Sequence, residues 1–277
     1  MYVILEKKVF APTIKMLKIR APEIAKKAKE GQFVIIRIDE KGERFPLTLA
    51  DWEPEEGTIT LVFLEVGVST TKLGALETGD EILDLNGPLG NPSDIKHYGS
   101  VAVVCGGVGT AAAYPIAKAL KEAGNRVVSI LGARTEKLLI LEDELRSYSD
   151  ELYGSTDDGS KGHKGFVSDV LKMLIEKEQQ FDLVYAIGPP LMMRATVNVA
   201  KVYSIRTIVS LNPIMVDGCG MCGACRVTVG ETTKFACVDG PEFDGNIVNF
   251  DELIKRLRAY QSQEEQARSR LAESKKI

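Results

Sequence analysis

The sequence predicts a small β-barrel, then an open parallel α/β sheet, then a compact cysteine-rich segment. Three observations carry this. Residues 1–95 alternate short apolar runs with turn residues. From residue 100 onward, continuous apolar runs alternate with stretches of helical length. Four of the five cysteines fall between Cys219 and Cys237. The expected boundaries are 1–96 for the barrel, 97–211 for the α/β domain, 212–250 for the cysteine segment and 251–277 for a terminal helix.

In the first region, Phe33-Val-Ile-Ile-Arg-Ile38 and Thr58-Ile-Thr-Leu-Val-Phe-Leu64 read as strands. Turn signals at Asp39-Glu-Lys-Gly42, Glu55-Glu-Gly57 and Thr78-Gly-Asp80 bound them. Short strands at this spacing predict a barrel. The pattern changes after His97-Tyr-Gly-Ser100. Val101-Ala-Val-Val-Cys105 is a continuous apolar run, as a buried parallel strand requires. A helix is expected over 111–123, then a strand over 126–131, a helix over 138–145 and a strand over 152–156. Helix 166–177, strand 183–187, helix 191–203 and a closing strand at 207–211 complete an alternation that means a parallel sheet. The tail from Asp251 reads as one charged helix with Leu253, Ile254, Leu257 and Tyr260 on one face. That face packs on its own domain, or it docks a partner.

Composition narrows the function classes. A net charge of −4 gives no footprint for nucleic acid or an anionic surface. No apolar run approaches the ~20 residues a membrane span needs. The first residues, Met-Tyr-Val-Ile-Leu-Glu-Lys-Lys, lack the pattern of a secretory signal and read as a first strand. The expectation is a cytoplasmic protein with reduced thiols. The two histidines, His97 and His163, fall in apparent loops and read as surface residues. No serine nucleophile motif and no paired acid/base carboxylates stand out.

The cysteine segment reads Asp217-Gly-Cys219-Gly-Met-Cys222-Gly-Ala-Cys225, with Cys237 eleven residues further on. Glycine between close thiols lets backbone wrap an inorganic core. Structural zinc, an iron–sulfur cluster and buried free thiols compete. Zinc prefers two close ligand pairs. Setting Cys219 aside leaves Asp217-x4-Cys222-x2-Cys225-x11-Cys237, the plant-type ferredoxin spacing with aspartate in the first place. Cys219 is the other candidate for the fourth ligand.

Cys105-Gly-Gly-Val-Gly109-Thr follows a buried strand and opens a helix, the context of a dinucleotide fingerprint. Glycine there lets phosphate reach N–H groups at the helix start. The second strand ends in Gly132-Ala-Arg134, where an acidic residue would be usual.

These words in this order resemble the ferredoxin reductase family. The cysteine segment, with Leu211-Asn-Pro-Ile-Met-Val-Asp217 before it and Ala236-Cys-Val-Asp-Gly-Pro-Glu-Phe243 after it, resembles the electron-transfer subunit of dihydroorotate dehydrogenase. It is nearer still to the small subunit of the NADH-dependent reduced ferredoxin:NADP oxidoreductases, the sulfide dehydrogenase β subunits, where aspartate replaces the first cysteine. The resemblance implies a ferredoxin-reductase-like FAD-binding barrel, an NAD-binding parallel sheet and a small 2Fe–2S domain. Asp217, Cys222, Cys225 and Cys237 would hold the 2Fe–2S cluster.

For FAD, the resemblance implies Arg44, Pro46, Leu47 and Thr48 on one strand. Thr48 would place its hydroxyl at the flavin N5 and is the candidate catalytic residue. The family's arginine is displaced by one position here, with Phe45 in its place. Leu64, Val66, Gly67, Ser69, Thr70 and Thr71 would form the flavin phosphate turn. For NAD(H), it implies Gly107, Gly109, Thr110, Gly132, Arg134, Thr156, Asp157, Asp158, Gly188, Pro189 and Met192. Asp157 and Asp158 suit the hydroxyls of an unphosphorylated ribose and favour NAD; Arg134 favours NADP.

The implied function is hydride exchange between NAD(H) and FAD, with single electrons passed through the 2Fe–2S centre. The implied partner is a larger flavoprotein subunit with a second FAD and 4Fe–4S clusters. Together they would couple NADH, NADP(H) and ferredoxin by flavin-based electron bifurcation in a heterodimer. Alternatives are the electron-transfer subunit of a dihydroorotate dehydrogenase, a sulfide or polysulfide reductase subunit, and a zinc-stabilised nucleotide-binding regulator.

Overall fold

The computed structural model describes residues 1–274. Among these, β1 (Tyr2–Ala11), β2 (Ile14–Arg20), β3 (Phe33–Arg37), β4 (Phe45–Glu53), β5 (Thr58–Leu64), β6 (Glu81–Ile82) and β7 (Asp84–Leu89) form one antiparallel sheet. Its order is β6-β1-β2-β5-β4-β3-β7. Only Leu83 separates the two edge strands in the chain, and its N–H reaches the Ile38 carbonyl at 3.1 Å. The sheet therefore closes on itself, which removes free edges. Alternate residues point inward, so Ile4, Leu17, Ile19, Leu49, Ile59 and Leu61 fill the interior without solvent exposure. Two helices, α1 (Pro22–Ala25) and α2 (Val68–Ala75), interrupt a region whose strand pattern had read as all-β.

The second sheet holds β8 (Ser100–Gly106), β9 (Arg126–Ala133), β10 (Glu151–Thr156), β11 (His163–Lys164), β12 (Leu183–Ile187), β13 (Arg206–Ser210) and β16 (Glu242–Asp244). Its order is β11-β10-β9-β8-β12-β13-β16, parallel except for β16. Helices α3 (Gly109–Glu122), α4 (Glu142–Ser147), α5 (Val167–Glu176) and α6 (Pro190–Val202) cover the faces. Strands buried on both faces explain the continuous apolar runs, and Val101–Cys105 is fully buried. The chain continues through the hairpin β14 (Arg226–Val229) and β15 (Thr232–Phe235), then α7 (Phe250–Leu257) and α8 (Gln261–Ser274). Among the described residues, no helix is long and apolar enough to cross a membrane.

Four local expectations change. The segment 138–145 is not one helix. A 3-10 turn spans Glu136–Leu138, Leu141 is left-handed at φ 56°, and α4 starts only at Glu142. The reason is packing: Ile140 is buried with Leu138 and Leu141 against Ala11, Ile14 and Val62 of the barrel. These leucines serve a domain interface, not a helix stripe. Strand 206–210 does not close the sheet, because β16 adds outside it. His163 lies in the edge strand β11, while His97 is exposed as expected. The tail breaks between α7 and α8, leaving Tyr260 56% exposed, off the apolar face of Leu253 and Ile254 that packs on the α/β domain.

Candidate functional site

The parallel sheet reverses its strand order between β8 and β12, and the crevice outside the C-terminal ends of such strands is where ligands bind. Gly107 and Gly109 leave β8 there, and Gly188 leaves β12. Gly107 is left-handed at φ 57°, and its N–H donates to the Gly132 carbonyl at 2.8 Å. The Thr110 hydroxyl donates to the Gly107 carbonyl at 2.8 Å. A Cβ at Gly109 would stand 2.7 Å from the Ile187 carbonyl oxygen and 2.9 Å from the Gly188 Cα. Only glycine permits that approach between two turns. Met192 fills the space above Gly106, where its sulfur would meet an added Cβ at 2.5 Å. Cys105 beneath the turn is fully buried, and burial pushes its thiol up to about 12. It is a packing residue, not a nucleophile.

The rim of this crevice is the loop after β10. The Thr156 hydroxyl donates to the Lys161 carbonyl at 2.9 Å. The Asp158 carboxylate accepts from the Ser160 N–H at 2.9 Å and its hydroxyl at 2.6 Å, and these bonds hold that carboxyl below its usual range. The Asp157 N–H donates to the Ala133 carbonyl at 3.1 Å, and Arg134 beside it is exposed. The structure thus gathers Gly107, Gly109, Thr110, Gly132, Arg134, Thr156, Asp157, Asp158, Gly188, Pro189 and Met192 at one end of one sheet.

On the barrel, Thr48 and its neighbours Pro46 and Leu47 are half-buried on β4. Phe45 packs on the barrel core, while Arg44 is exposed before the strand begins. Leu64 ends β5 and leads into the turn Val66-Gly67 that opens α2. The Thr70 hydroxyl oxygen accepts from the Val66 and Gly67 N–H groups at 3.0 and 3.1 Å. Gly67 is the N-cap and brings no side chain to the first-turn amides. Nothing lies within 4 Å of where its Cβ would be, so the backbone is open to an approaching group. A hollow beside it is lined by Lys41, Gly42, Glu43, Val68, Ser69 and Lys72.

Two packing links join these parts. Ala50 of β4 shares an apolar cluster with Ala111 of α3, so the Thr48 strand abuts the helix opened by the glycine turn. Thr48 also pairs across the sheet with Phe33, and Phe33 packs in one cluster with Ile35, Met215, Cys225 and Cys237.

In the cysteine loop, two of the thiols meet. The Cys225 and Cys237 sulfurs lie 3.2 Å apart, far beyond the ~2.05 Å of a disulfide, and both thiols are free. The Cys237 N–H points at the Cys225 sulfur at 3.4 Å. Burial, then the neighbouring Cys225, pushes the Cys237 thiol up to about 12. Cys219 and Cys222 are exposed and Asp217 is half-buried. Among the described residues, no three His, Cys, Asp or Glu side chains converge on one point. The structure joins two of the four expected ligands and leaves Asp217 and Cys222 apart from them. Gly218, Gly220 and Gly223 are all left-handed, with φ of 75°, 82° and 64°, so the loop curls between its thiols.

Residues 212–249 match the family model of the iron-sulfur cluster binding domain of dihydroorotate dehydrogenase B, and 103–198 match the oxidoreductase NAD-binding domain. The chain is 55% identical over 246 residues to a homologue of the dihydroorotate dehydrogenase B (NAD(+)) electron transfer subunit from Thermotoga maritima. That match covers 89% of this chain and 86% of the relative. The electron transfer subunit of Clostridium perfringens is 34% identical over 81% of this chain and 88% of its own length. This chain belongs to that family.

Solved structures also align with this chain. A solved structure of an NADH-dependent reduced ferredoxin-NADP oxidoreductase, described for flavin-based electron bifurcation, matches with a TM-score of 0.93 and 51% identity over 98% of both chains. A ferredoxin reductase of carbazole 1,9a-dioxygenase matches at 19% identity with a TM-score of 0.62, covering 74% of this chain and 65% of its own, which speaks to the fold alone. The chain is an oxidoreductase subunit that works with NAD(H), and its cysteine segment is an iron–sulfur domain. The donor set agrees with that: soft thiols, a sulfur pair in contact and a loop with left-handed glycines between its thiols suit an iron–sulfur core.

Sequence reasoning had no means of finding Phe33 and Met215 as the apolar floor under Cys225 and Cys237. Nothing in either local pattern signals the other. The contact in which the Ser93 hydroxyl donates to the Glu242 carboxylate at 2.6 Å escaped it for the same reason.

Proposed function

We propose that this chain is the NAD(H)-handling subunit of an electron-bifurcating NADH-dependent ferredoxin:NADP oxidoreductase, with FAD on the barrel and a 2Fe–2S cluster at the cysteine loop. The observation that carries this is the double contact of β4. Its Thr48 stands opposite Phe33, which packs on the cluster thiols, while its Ala50 packs on the helix of the glycine turn. One strand thus touches both the nucleotide end and the cluster end.

FAD supplies the exchange between a two-electron hydride donor and single electrons, and the cluster supplies a one-electron site. The protein's part is placement. Thr48 offers a hydroxyl beside the flavin ring, and Pro46 and Leu47 give that ring an apolar edge. The Val66–Thr71 turn offers open N–H groups and hydroxyls to the flavin phosphates. Gly107, Gly109 and Thr110 receive the nucleotide phosphates, and Asp157 and Asp158 face its ribose. Gly188, Pro189 and Met192 wall the nicotinamide end and keep water out. Cys222, Cys225 and Cys237 hold the cluster with Asp217, whose oxygen donates less to iron than a thiolate does and changes the cluster's potential.

The boundaries 1–96, 97–211, 212–250 and 251–277 give each cofactor its own module. A larger flavoprotein subunit docks at the exposed cluster loop and carries the chemistry of ferredoxin and NADP(H). Free thiols suit the reducing cytoplasm. The names of the 55% and 34% identical relatives favour a second reading, electron delivery to a dihydroorotate dehydrogenase. Aspartate at position 217 favours the first.

Cys222→Ser tests the assignment. The variant is expected to lose the cluster's absorbance while keeping FAD and NADH-driven dye reduction. Full iron content in this variant contradicts the ligand set.

A further inference from the structure

Helix α7 is stitched to β14, the strand that leaves the cysteine loop. The Gly230 N–H donates to the Ile247 carbonyl at 2.7 Å and the Asn249 N–H to the Thr228 carbonyl at 2.9 Å, so the start of α7 is tied to the far end of β14. The Asn249 side chain caps the helix by accepting from the Glu252 N–H at 3.0 Å. Phe250, Leu253, Ile254 and Leu257 then pack in one cluster with Val227 and Val229 of β14. The helix therefore runs back along β14 toward the cysteines. In its last turn the half-buried Arg256 donates from its guanidinium to the Ala224 carbonyl at 3.1 Å.

Ala224 lies inside the turn Cys222-Gly-Ala-Cys225. The other middle residue, Gly223, is held locally. Its carbonyl accepts from the Arg226 N–H at 3.4 Å and from the Arg226 guanidinium at 3.1 Å. The Ala224 carbonyl is held instead from 32 positions away. A planar trans peptide sets its C=O and N–H in opposite directions, so tying the Ala224 carbonyl fixes where the Cys225 N–H points. N–H groups at the sulfurs and the net charge around them tune an iron–sulfur cluster's potential.

We infer that Arg256 is a positioning residue for the 2Fe–2S centre, which fixes the Cys222–Cys225 turn and holds a positive charge that makes the cluster easier to reduce. Reduction adds one negative charge to the cluster, and a half-buried cation is screened less than an exposed one. Arg226 is exposed, so its charge counts for less. Elsewhere in this domain Lys234 and Asp239 pair at 4.0 Å and offset each other. The inference rests on Cys222 and Cys225 as cluster ligands.

The test is an anaerobic redox titration of the purified full-length chain, with the electron paramagnetic resonance of the reduced cluster and the iron content read on the same sample. Arg256→Gln removes the charge and keeps an amide donor. It is expected to retain iron and to make one-electron reduction about tenfold less favourable, the scale of one partly screened charge. That is a fall in midpoint of about 59 mV. Arg256→Lys keeps the charge and should restore most of the midpoint, with a resonance that still differs from the parent's because the ammonium lacks the planar fork. Lys255→Gln removes an exposed charge from the neighbouring position and should leave the midpoint unchanged. An Arg256→Gln chain with full iron and the parent's midpoint overturns the inference and leaves the cluster standing. An equal fall in Arg256→Gln and Lys255→Gln shows a diffuse charge effect and overturns it as well. Loss of iron in both Arg256 variants marks a purely structural contact and also overturns it. Full iron in Cys222→Ser overturns the ligand set, and the inference falls with it.

Discussion

The glycine turn at Gly106–Gly109 and the cysteine loop at Asp217–Cys225 are both glycine-rich, yet they differ in what holds them. The turn is complete. Its backbone is pinned by the Gly132 carbonyl, Gly109 rests on Ile187, and Met192 fills the space above. In the loop two thiols are in contact, two cysteines face solvent, and Gly218, Gly220 and Gly223 carry a left-handed backbone. A site for a nucleotide that comes and goes must keep its shape between visits. A site for a resident cluster can leave part of its shape to the cluster.

The largest effect should come from the loop. Cys225→Ser or Cys237→Ser is expected to abolish cluster iron and lower the thermal midpoint, while the glycine turn still binds NADH. Iron analysis and NADH titration on one sample check this. Loss of NADH binding together with iron would erase the distinction between the two regions.

Gly109→Ala attacks the other side. Its Cβ would meet backbone at 2.7 and 2.9 Å, which cannot yield as a side chain can. The expected cost is about 2 kcal/mol of stability, with NADH affinity at least ~10-fold weaker and cluster iron unchanged. Chemical denaturation and NADH titration check it.

Within the loop, Cys219→Ser should leave the cluster's spectrum nearly unchanged, whereas Asp217→Ala should weaken or shift it. If Cys219→Ser bleaches the protein and Asp217→Ala is silent, Cys219 is the fourth ligand.

The smallest effect concerns the junction between the regions. The Ser93 hydroxyl donates to Glu242 at 2.6 Å, tying the end of the barrel to β16. Burial raises the Glu242 carboxyl above its usual 4.5, and the Ser93 and Tyr185 hydroxyls oppose that. A raised carboxyl contributes stability that is full below 4.5 and is lost as pH rises through its folded value. Glu242→Gln has no proton to lose, so stability should fall less between pH 4.5 and neutrality than in the parent. Denaturation midpoints across that range check it, and an unchanged slope argues against a protonated Glu242.

Much of this was legible in the sequence because periodicity is local. Val101–Cys105 announced a buried strand, and Gly107 and Gly109 announced the turn after it. The cysteine spacing named the loop. What stayed hidden depends on distant partners. Leu138 and Ile140 looked like a helix stripe until the barrel was seen to claim them. The strand Glu242–Asp244 is too short to show a pattern and exists because β13 offers an edge. The polar face of α8 carried no sign that Arg268 reaches Val66. The expected residues of the nucleotide crevice lie on turns at the C-terminal ends of β8, β9, β10 and β12. Asp217 and Cys222 stand apart from the Cys225–Cys237 pair.

The most direct test of the relay is one anaerobic spectrum of the purified chain, before and after NADH, with flavin, iron and zinc assayed on the same sample. Flavin bands and iron–sulfur absorbance that both bleach on adding NADH are the expected result. A colourless protein that contains zinc and no flavin would contradict the electron-transfer function at its root.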